Sequence, residues 1–238
     1  LALSVGGVAV AEGLDQVTFG TNWFAQAEHG GFYQAVAEGI YEDYGLDVAI
    51  RMGGPQVNNM QLLMGRRYEF SMGYPIAAIN AVNEGLPVVT VAASFQGDPQ
   101  GLLAHPHVES LEELVGKPVY IASSSHTTFW PWLKAEYGYT DDMVRPYTFS
   151  VQPFLNSEDV VQQGYVTSEP FAMEKGGVAP NVFLFADYGY PPYATTIETR
   201  RDIIENRPDV VRRFVQASLE GWKSYMENRA GTDLDQGR

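Results

Sequence analysis

Apolar residues along this chain come in short blocks, and the spacing inside each block separates strand from helix. Val17–Phe19 reads as a strand that runs out into Gly20-Thr21-Asn22-Trp23. Beyond the Ala25–Glu28 loop, Phe32, Ala35, Val36 and Ile40 recur at helical spacing, so His29-Gly30-Gly31 opens a helix over Phe32–Gly39. Strand Asp47–Arg51, the turn Gly53-Gly54-Pro55, a helix from Val57 to Met64, strand Phe70–Met72, helix Ile76–Asn83 and strand Val88–Ala93 follow. This alternation with short glycine-bearing loops predicts an open parallel sheet.

Gly97, Pro99, Gly101 and Pro106 then mark Phe95–Pro106 as a crossover. A second series begins with helix Val108–Leu114, strand Pro118–Ala122, the Ser123-Ser124-Ser125 turn and helix Thr128–Tyr137. It continues with strand Arg145–Phe149, a helix near Asn156–Gln163, and strands Gly164–Val166 and Val182–Phe185. Asp187–Tyr193 forms a second punctuated crossover before strand Ala194–Glu198 and helices Arg200–Glu205 and Pro208–Tyr225. The fold class expected is α/β with two lobes, each a parallel-type sheet flanked by helices. Lobe 1 takes residues 12–100 and 190–238, and lobe 2 takes residues 101–189. Two linkers between the same lobes can hinge, which places the ligand site in the cleft, outside the carboxyl ends of the strands.

Composition narrows the chemistry. Across 238 residues there are 29 acidic and 15 basic side chains, a net charge of −14, which argues against nucleic acid or anionic lipid as partner. The absence of cysteine excludes disulfide scaffolds, thiolate zinc sites and cysteine nucleophiles. Fourteen tyrosines and four tryptophans point to flat or apolar ligands. The uncharged stretch Leu1 to Ala11, closing on Ala9-Val10-Ala11, reads as a signal-peptide remnant cleaved before Glu12, or else as a buried first strand. The first reading implies an exported, soluble, periplasmic monomer, and Glu12 in place of a lipidatable cysteine argues against a lipoprotein. The end on Gly237-Arg238, soon after one long helix, reads as a chain cut short.

Several motifs occur in order at fitting distances: Asn22-Trp23, His29-Gly30-Gly31-Phe32-Tyr33, Ala37-Glu38-Gly39, Tyr44-Gly45-Leu46-Asp47-Val48 and Gly53-Gly54. They are joined by Leu114-Val115-Gly116-Lys117-Pro118 and Asn206-Arg207-Pro208-Asp209-Val210-Val211. In these, from Val17 to about Glu227, the chain resembles periplasmic solute-binding proteins of the thiamine-pyrimidine-precursor type, relatives of the sulfonate, taurine and nitrate binding components of ABC importers. The resemblance implies a type II periplasmic binding fold, no cofactor, and as partners a small heterocyclic ligand and the importer's membrane subunits. One branch of that superfamily makes the pyrimidine, consuming its own histidine and a lysine-bound pyridoxal phosphate beside an iron site with a cysteine cluster. The lysine and histidine positions read Gly73 and Ala77 here, and cysteine is absent, so that synthesis is excluded and no catalytic residue is expected.

Each candidate site group carries an ordinary structural alternative. Trp23 stands either as a stacking ring at the cleft mouth or as lobe packing, and the resemblance favours stacking. Asn22 beside it can orient a ring nitrogen or amine. His29 and Gly30 at a helix start offer backbone N–H groups to an acceptor, or form a simple capped turn. Gly53 and Gly54 offer a second such turn. Tyr74 and Phe95 end strands, as apolar walls of the cleft or as core. Ser123, Ser125 and Thr127 cradle a polar substituent or only cap a helix. Glu169, ahead of Pro170, can accept from an exocyclic amine or sit in solvent, and the resemblance favours the ligand role. Of Tyr188, Tyr190 and Tyr193 in the second crossover, one is expected to face the ligand.

The cleft segments carry no lysine, and Arg51 is their one arginine, which favours a neutral or cationic heterocycle over an oxyanion. His105, His107 and His126 lack the acidic or histidine spacing of a zinc set and read as polar linker and turn. The leading expectation is therefore an importer's binding protein for a thiamine pyrimidine precursor or analogue. The alternatives are a sulfonate- or nitrate-type oxyanion or riboflavin binder of the same fold, and, more remotely, a heterocycle-processing enzyme using Glu169 or His29 as acid or base.

Overall fold

The computed structural model describes residues 13–228, so the apolar start at residues 1–11 lies outside the described residues. Strand β1 (Asp15–Gly20) leads through helices α1 (Gly30–Ala37) and α2 (Ile40–Asp43) to β2 (Leu46–Arg51), α3 (Asn59–Met64), β3 (Phe70–Gly73), α4 (Pro75–Asn83) and β4 (Val88–Phe95). The chain crosses to β5 (Gln100–Ala104), β6 (Val119–Ile121), α5 (Phe129–Tyr137), β7 (Val144–Pro146), α6 (Gln152–Asn156), β8 (Val161–Tyr165), α7 (Glu169–Lys175) and β9 (Asn181–Leu184). It returns as β10 (Ala194–Arg200), α8 (Arg201–Asn206) and α9 (Pro208–Asn228). Two five-stranded sheets result, ordered β2-β1-β3-β10-β4 and β7-β6-β8-β5-β9.

Neither sheet is wholly parallel. β1 runs parallel to β2 and β3, and β6 to β7 and β8, as helical crossovers require. The strand that arrives from the other lobe enters antiparallel: β5 against β8 and β9, β10 against β3 and β4. These strands come directly across the lobe boundary with no helix to reverse the chain, so they run opposite to their neighbours. The Phe95–Pro106 crossover accordingly shrinks to residues 96–99, because β5 fills its second half.

Three further expectations shift. Val108, Leu111 and Leu114 fill the second core from an extended segment with one 3-10 turn at Glu112–Leu114, since apolar residues three apart suit either geometry. The helix placed near Asn156–Gln163 ends at Asn156, and the β-branched Val161 opens β8. Pro170 proves to be a first-turn proline of α7, a helix the sequence reading lacked.

The first core gathers around α9, where Phe214 stacks on Phe70 with ring centroids 4.1 Å apart and on Tyr41 at 5.5 Å. Arg213 ties the same helix to Asp15 of β1 at 2.6 Å and is steadied by Asp209 one turn earlier at 2.6 Å. Helix α9 crosses α1 closely because glycines face each other there: a Cβ on Gly221 would overlap Gly31 O and the Ala35 methyl. Gly221→Ala gains about 1 kcal/mol of helix propensity, yet the forced separation costs about 1–3 kcal/mol. A lowered Tm is therefore expected in thermal melts, and an increase would show that α1 and α9 part without penalty.

Candidate ligand-binding cleft

The end of β1 is pinned before it reaches the cleft. Thr21 Oγ1 donates to Trp23 O at 2.9 Å, and Asn59 Nδ2 donates to Thr21 O at 2.8 Å and Met72 O at 3.1 Å. Buried Asn59 Oδ1 is left with no partner. Asn22 and Trp23 are thereby held at the junction of the lobes. Asn22 Nδ2 donates to Tyr74 Oη at 2.8 Å in its own lobe and to Tyr165 Oη at 3.0 Å at the end of β8 in the other. His29, fully buried, lies behind Asn22 with Nε2 2.9 Å from its Oδ1. Burial drives the His29 pKa down to about 4, so the ring is neutral.

Two buried carboxyls close the lobes. Glu28 Oε2 of lobe 1 accepts from Thr167 Oγ1 at 2.7 Å and Ser168 Oγ at 2.9 Å. Glu169 opens α7 in lobe 2 and accepts from Tyr165 N at 2.8 Å, Tyr147 Oη at 3.0 Å and Gln26 Nε2 at 3.1 Å, the last from across the cleft. Desolvation raises both, Glu28 to about 7. Ser123 Oγ adds a donor to Pro55 O at 2.5 Å. Trp23 stacks on Tyr147 with centroids 5.5 Å apart and planes at 22°, while Phe24 meets Phe149 at 4.6 Å. The lobes are thus closed, and the slot that Trp23, Tyr74, Tyr147, Tyr165 and Glu169 border holds about 10 Å³, no more than one water needs.

Beside this shut slot the cleft widens into a cavity of about 810 Å³. Gln56, Asn58, Asn59, Asn80, Met60, Met72 and Tyr74 line it from lobe 1, and Ser123, Ser124 and Thr127 from lobe 2. Glu198 of β10 stands in its wall, nearly inaccessible to solvent, with Thr196 Oγ1 donating to its Oε1 at 3.1 Å. Desolvation pushes the Glu198 pKa up to about 8, so the carboxyl is protonated at neutral pH. Its place exists because residue 73 is glycine: a Cβ there would overlap both carboxyl oxygens. Lysine and arginine do not occur among the residues lining the cavity, and Arg51 is exposed elsewhere.

Other sequence candidates fall outside this cavity. His29 has both ring nitrogens occupied and acts through Asn22 instead of meeting a ligand. Gly30 faces the Tyr225 ring, and Gly53 and Gly54 face the Thr21–Trp23 backbone and Phe24, so these glycines serve close packing and not an N–H cradle. Ser125 Oγ donates to Gln163 Oε1 at 2.6 Å in the interior. Glu169 is buried, not solvent-facing, and fully engaged. Phe95 packs on Trp222, Tyr190 belongs to the lobe 2 core beside Trp132, Tyr188 lies against Phe183, and exposed Tyr193 borders a hollow on the outer face of lobe 1. None of the three crossover tyrosines borders the cleft cavity. Tyr147, Tyr165 and Glu198 were missed because all three occur in segments that read as ordinary strand. His105 Nε2 lies 2.9 Å from Phe154 O, while His107 and His126 are exposed. Among the described residues no group of three or more His, Asp or Glu is arranged to hold a metal.

Glu28, Asp98 and Glu198 hold their protons in the fold to about 7, 6 and 8, against 4.5, 3.8 and 4.5 ordinarily. Each favours the fold below its ordinary pKa and loses that contribution as pH rises to the folded value. His29 acts oppositely, but only below 6.5. Thermal melts should therefore show Tm falling from about pH 6.5 to about pH 8.5, and Glu198→Gln should flatten that limb and raise Tm at its upper end. A Glu198→Gln profile parallel to that of the unsubstituted chain would place the carboxyl in its ordinary range.

The NMT1/THI5-like family matches this chain over residues 26–230. Riboflavin-binding protein RibY of Chloroflexus aurantiacus is 27% identical over 224 residues, covering 90% of this chain and 64% of that protein. A formylaminopyrimidine-binding protein of Halalkalibacterium halodurans is 25% identical over 227 residues, covering 91% and 68%. The chain spans about two thirds of the length of these curated relatives. The periplasmic aliphatic sulphonate binding protein SsuA of Escherichia coli superposes with a TM-score of 0.68 at 15% identity, over 94% of this chain and 74% of that one. That likeness shows the two-lobed periplasmic binding fold. Since the family match takes in nearly all the described residues, the chain belongs to the NMT1/THI5-like family.

Proposed function

We propose that this chain is the extracytoplasmic substrate-binding component of an ABC importer, capturing a neutral nitrogen heterocycle, a thiamine pyrimidine precursor or analogue, between closing lobes. The observation that carries this reading is the lining of the interlobe cavity: amides, hydroxyls, the Tyr74 ring, aliphatic and methionine side chains, Glu84 and the protonated Glu198, without a lysine or arginine. An oxyanion normally takes a cationic fork or an array of donors, whereas a heterocycle needs a few oriented donors and acceptors on apolar walls. Asn59 Oδ1, buried and unpaired, is a ready acceptor for a ring or exocyclic N–H. The name of the Halalkalibacterium halodurans relative supports a pyrimidine. Riboflavin is the second reading, favoured by the RibY relative and by a cavity of about 810 Å³, roomy for one pyrimidine ring.

Closure follows from the groups that meet only when the lobes are shut: Glu28 with Thr167 and Ser168, Gln26 with Glu169, Trp23 with Tyr147. A flat ring between Trp23 and Tyr147 requires about 7 Å between their planes, two contacts of about 3.5 Å. Ligand entering that slot therefore parts the rings slightly and replaces their mutual contact with two of its own. The membrane subunits of the importer would read the closed shape. Isothermal calorimetry against hydroxymethyl-, aminomethyl- and formylaminopyrimidines, riboflavin, taurine and nitrate is expected to show binding of a heterocycle. Trp23→Ala should weaken it at least about tenfold, near 1.4 kcal/mol. Heat from an oxyanion alone, with every heterocycle silent, would overturn the reading.

A further inference from the structure

We infer that Tyr74 sets the ligand specificity of the cleft as a hydroxyl that donates and does not accept, and that His29 and Asn22 are the positioning residues that impose this polarity. The inference rests on the cleft being the ligand site. One group in this network has a single possible role. The backbone N–H of Gln26 points at His29 Nδ1, 3.3 Å away, so that nitrogen is an acceptor and the ring proton sits on Nε2. His29 Nε2 must then donate to Asn22 Oδ1, which fixes the amide the other way round, with Nδ2 toward the tyrosines. Each Nδ2 hydrogen goes to one phenol oxygen, Tyr74 or Tyr165.

The two phenol oxygens lie 2.5 Å apart, so one hydroxyl donates to the other. Tyr165 is buried, and among the described residues its hydroxyl meets only Asn22 and Tyr74. Were Tyr74 the donor, the Tyr165 proton would be left in the slot of about 10 Å³ that Tyr165 borders, with no acceptor among the described residues, a costly arrangement. With Tyr165 donating, its proton has an acceptor and one of its lone pairs is taken by Asn22. Tyr74 Oη then accepts twice, from Asn22 and from Tyr165, which uses both lone pairs and leaves its own proton. Tyr74 is the less buried member of the pair and borders both the slot and the wider cavity, so its proton is the one left over for a ligand. The cleft thus selects a heterocycle presenting a lone pair there, a ring nitrogen or carbonyl oxygen, and discriminates against an amine or ring N–H at the same point.

Calorimetry with formylaminopyrimidine and with riboflavin tests this on the unsubstituted chain and three kinds of variant. Tyr74→Phe, which keeps the ring, is expected to weaken binding 10- to 100-fold at temperatures where the variant is folded, with a lowered Tm because the Tyr165 hydroxyl and one Asn22 hydrogen lose their acceptor. Asn22→Asp keeps the Tyr74 hydroxyl but accepts from both phenols, drawing the Tyr74 proton away from the cavity, so it should lose affinity to a similar degree. His29→Leu should also weaken binding, but should add no further loss on the Tyr74→Phe background, because both act through one proton. Undiminished binding by Tyr74→Phe or by Asn22→Asp, or additive losses in the His29→Leu/Tyr74→Phe double variant, would overturn the assignment while leaving the heterocycle reading intact. Failure of the unsubstituted chain to bind these probes or any of the other heterocycles named above would remove both together.

Discussion

Groups that meet across the cleft lose water when the lobes shut, and an unpaired buried charge costs far more than a buried dipole with a partner. That constraint explains the chemistry of the interface. Every ion pair among the described residues joins groups of one lobe, such as Arg213 with Asp15 or Lys117 with Asp159. The lobes themselves meet through amides, hydroxyls, aromatic rings and carboxyls whose pKa values are raised. A chain with a net charge of −14 closes in this way without bringing bare carboxylates together, and closure is little affected by salt. The same constraint accounts for the neutral His29, whose imidazole orients an amide without placing a charge behind it.

Strand exchange supplies the rigidity that such oriented dipoles need. β5 enters the second sheet directly from the crossover, and its first residue, Gln100, pairs with Tyr165. Asp98 fixes that entry by accepting from Gln100 N at 2.9 Å. Tyr165 is therefore anchored beside the crossover between the sheets. Asn22 and Tyr74, at the ends of β1 and β3, meet it from the other lobe. The same two lobes also meet through Glu28 with Thr167 and Phe24 with Phe149.

The two-lobed α/β organisation was legible because the period changes at almost every element boundary, and Asn22 and Trp23 were legible because they follow a strand in a polar-aromatic pair. Failures have particular causes. Gly30 and Gly31 read as a ligand cradle, yet a missing side chain serves a helix as well as an anion, and here Tyr225 and Trp222 of α9 occupy the space. Tyr188, Tyr190 and Tyr193 drew attention as an aromatic run, but three tyrosines in a turning segment point three ways: to a neighbouring ring, to a core and to solvent. Tyr165 and Glu198 were invisible for the converse reason. An inward-facing polar residue on a strand looks the same in sequence whether its partner is a ligand, a backbone group or a facing tyrosine.

Glu198 shows how much one absent side chain can decide. β3 and β10 are antiparallel neighbours, and the carboxyl lies over the position that a Cβ at residue 73 would fill. The two side chains exclude each other sterically, so glycine at 73 and a folded-in carboxyl at 198 are a single feature of the wall. The resemblance to the pyrimidine-making branch sets a lysine at position 73. A lysine stem and this buried acid cannot occupy the same volume, so the wall is given over to a fixed, neutral donor. The carboxyl remains protonated because burial strips it of water, the single Thr196 hydroxyl that donates to it offsets only part of that, and no lysine or arginine lies among the residues around the cavity. A cation placed near it would lower its pKa and turn the wall from donor to acceptor. The lack of lysine and arginine along the cavity is thus part of the same arrangement that keeps Glu198 able to donate.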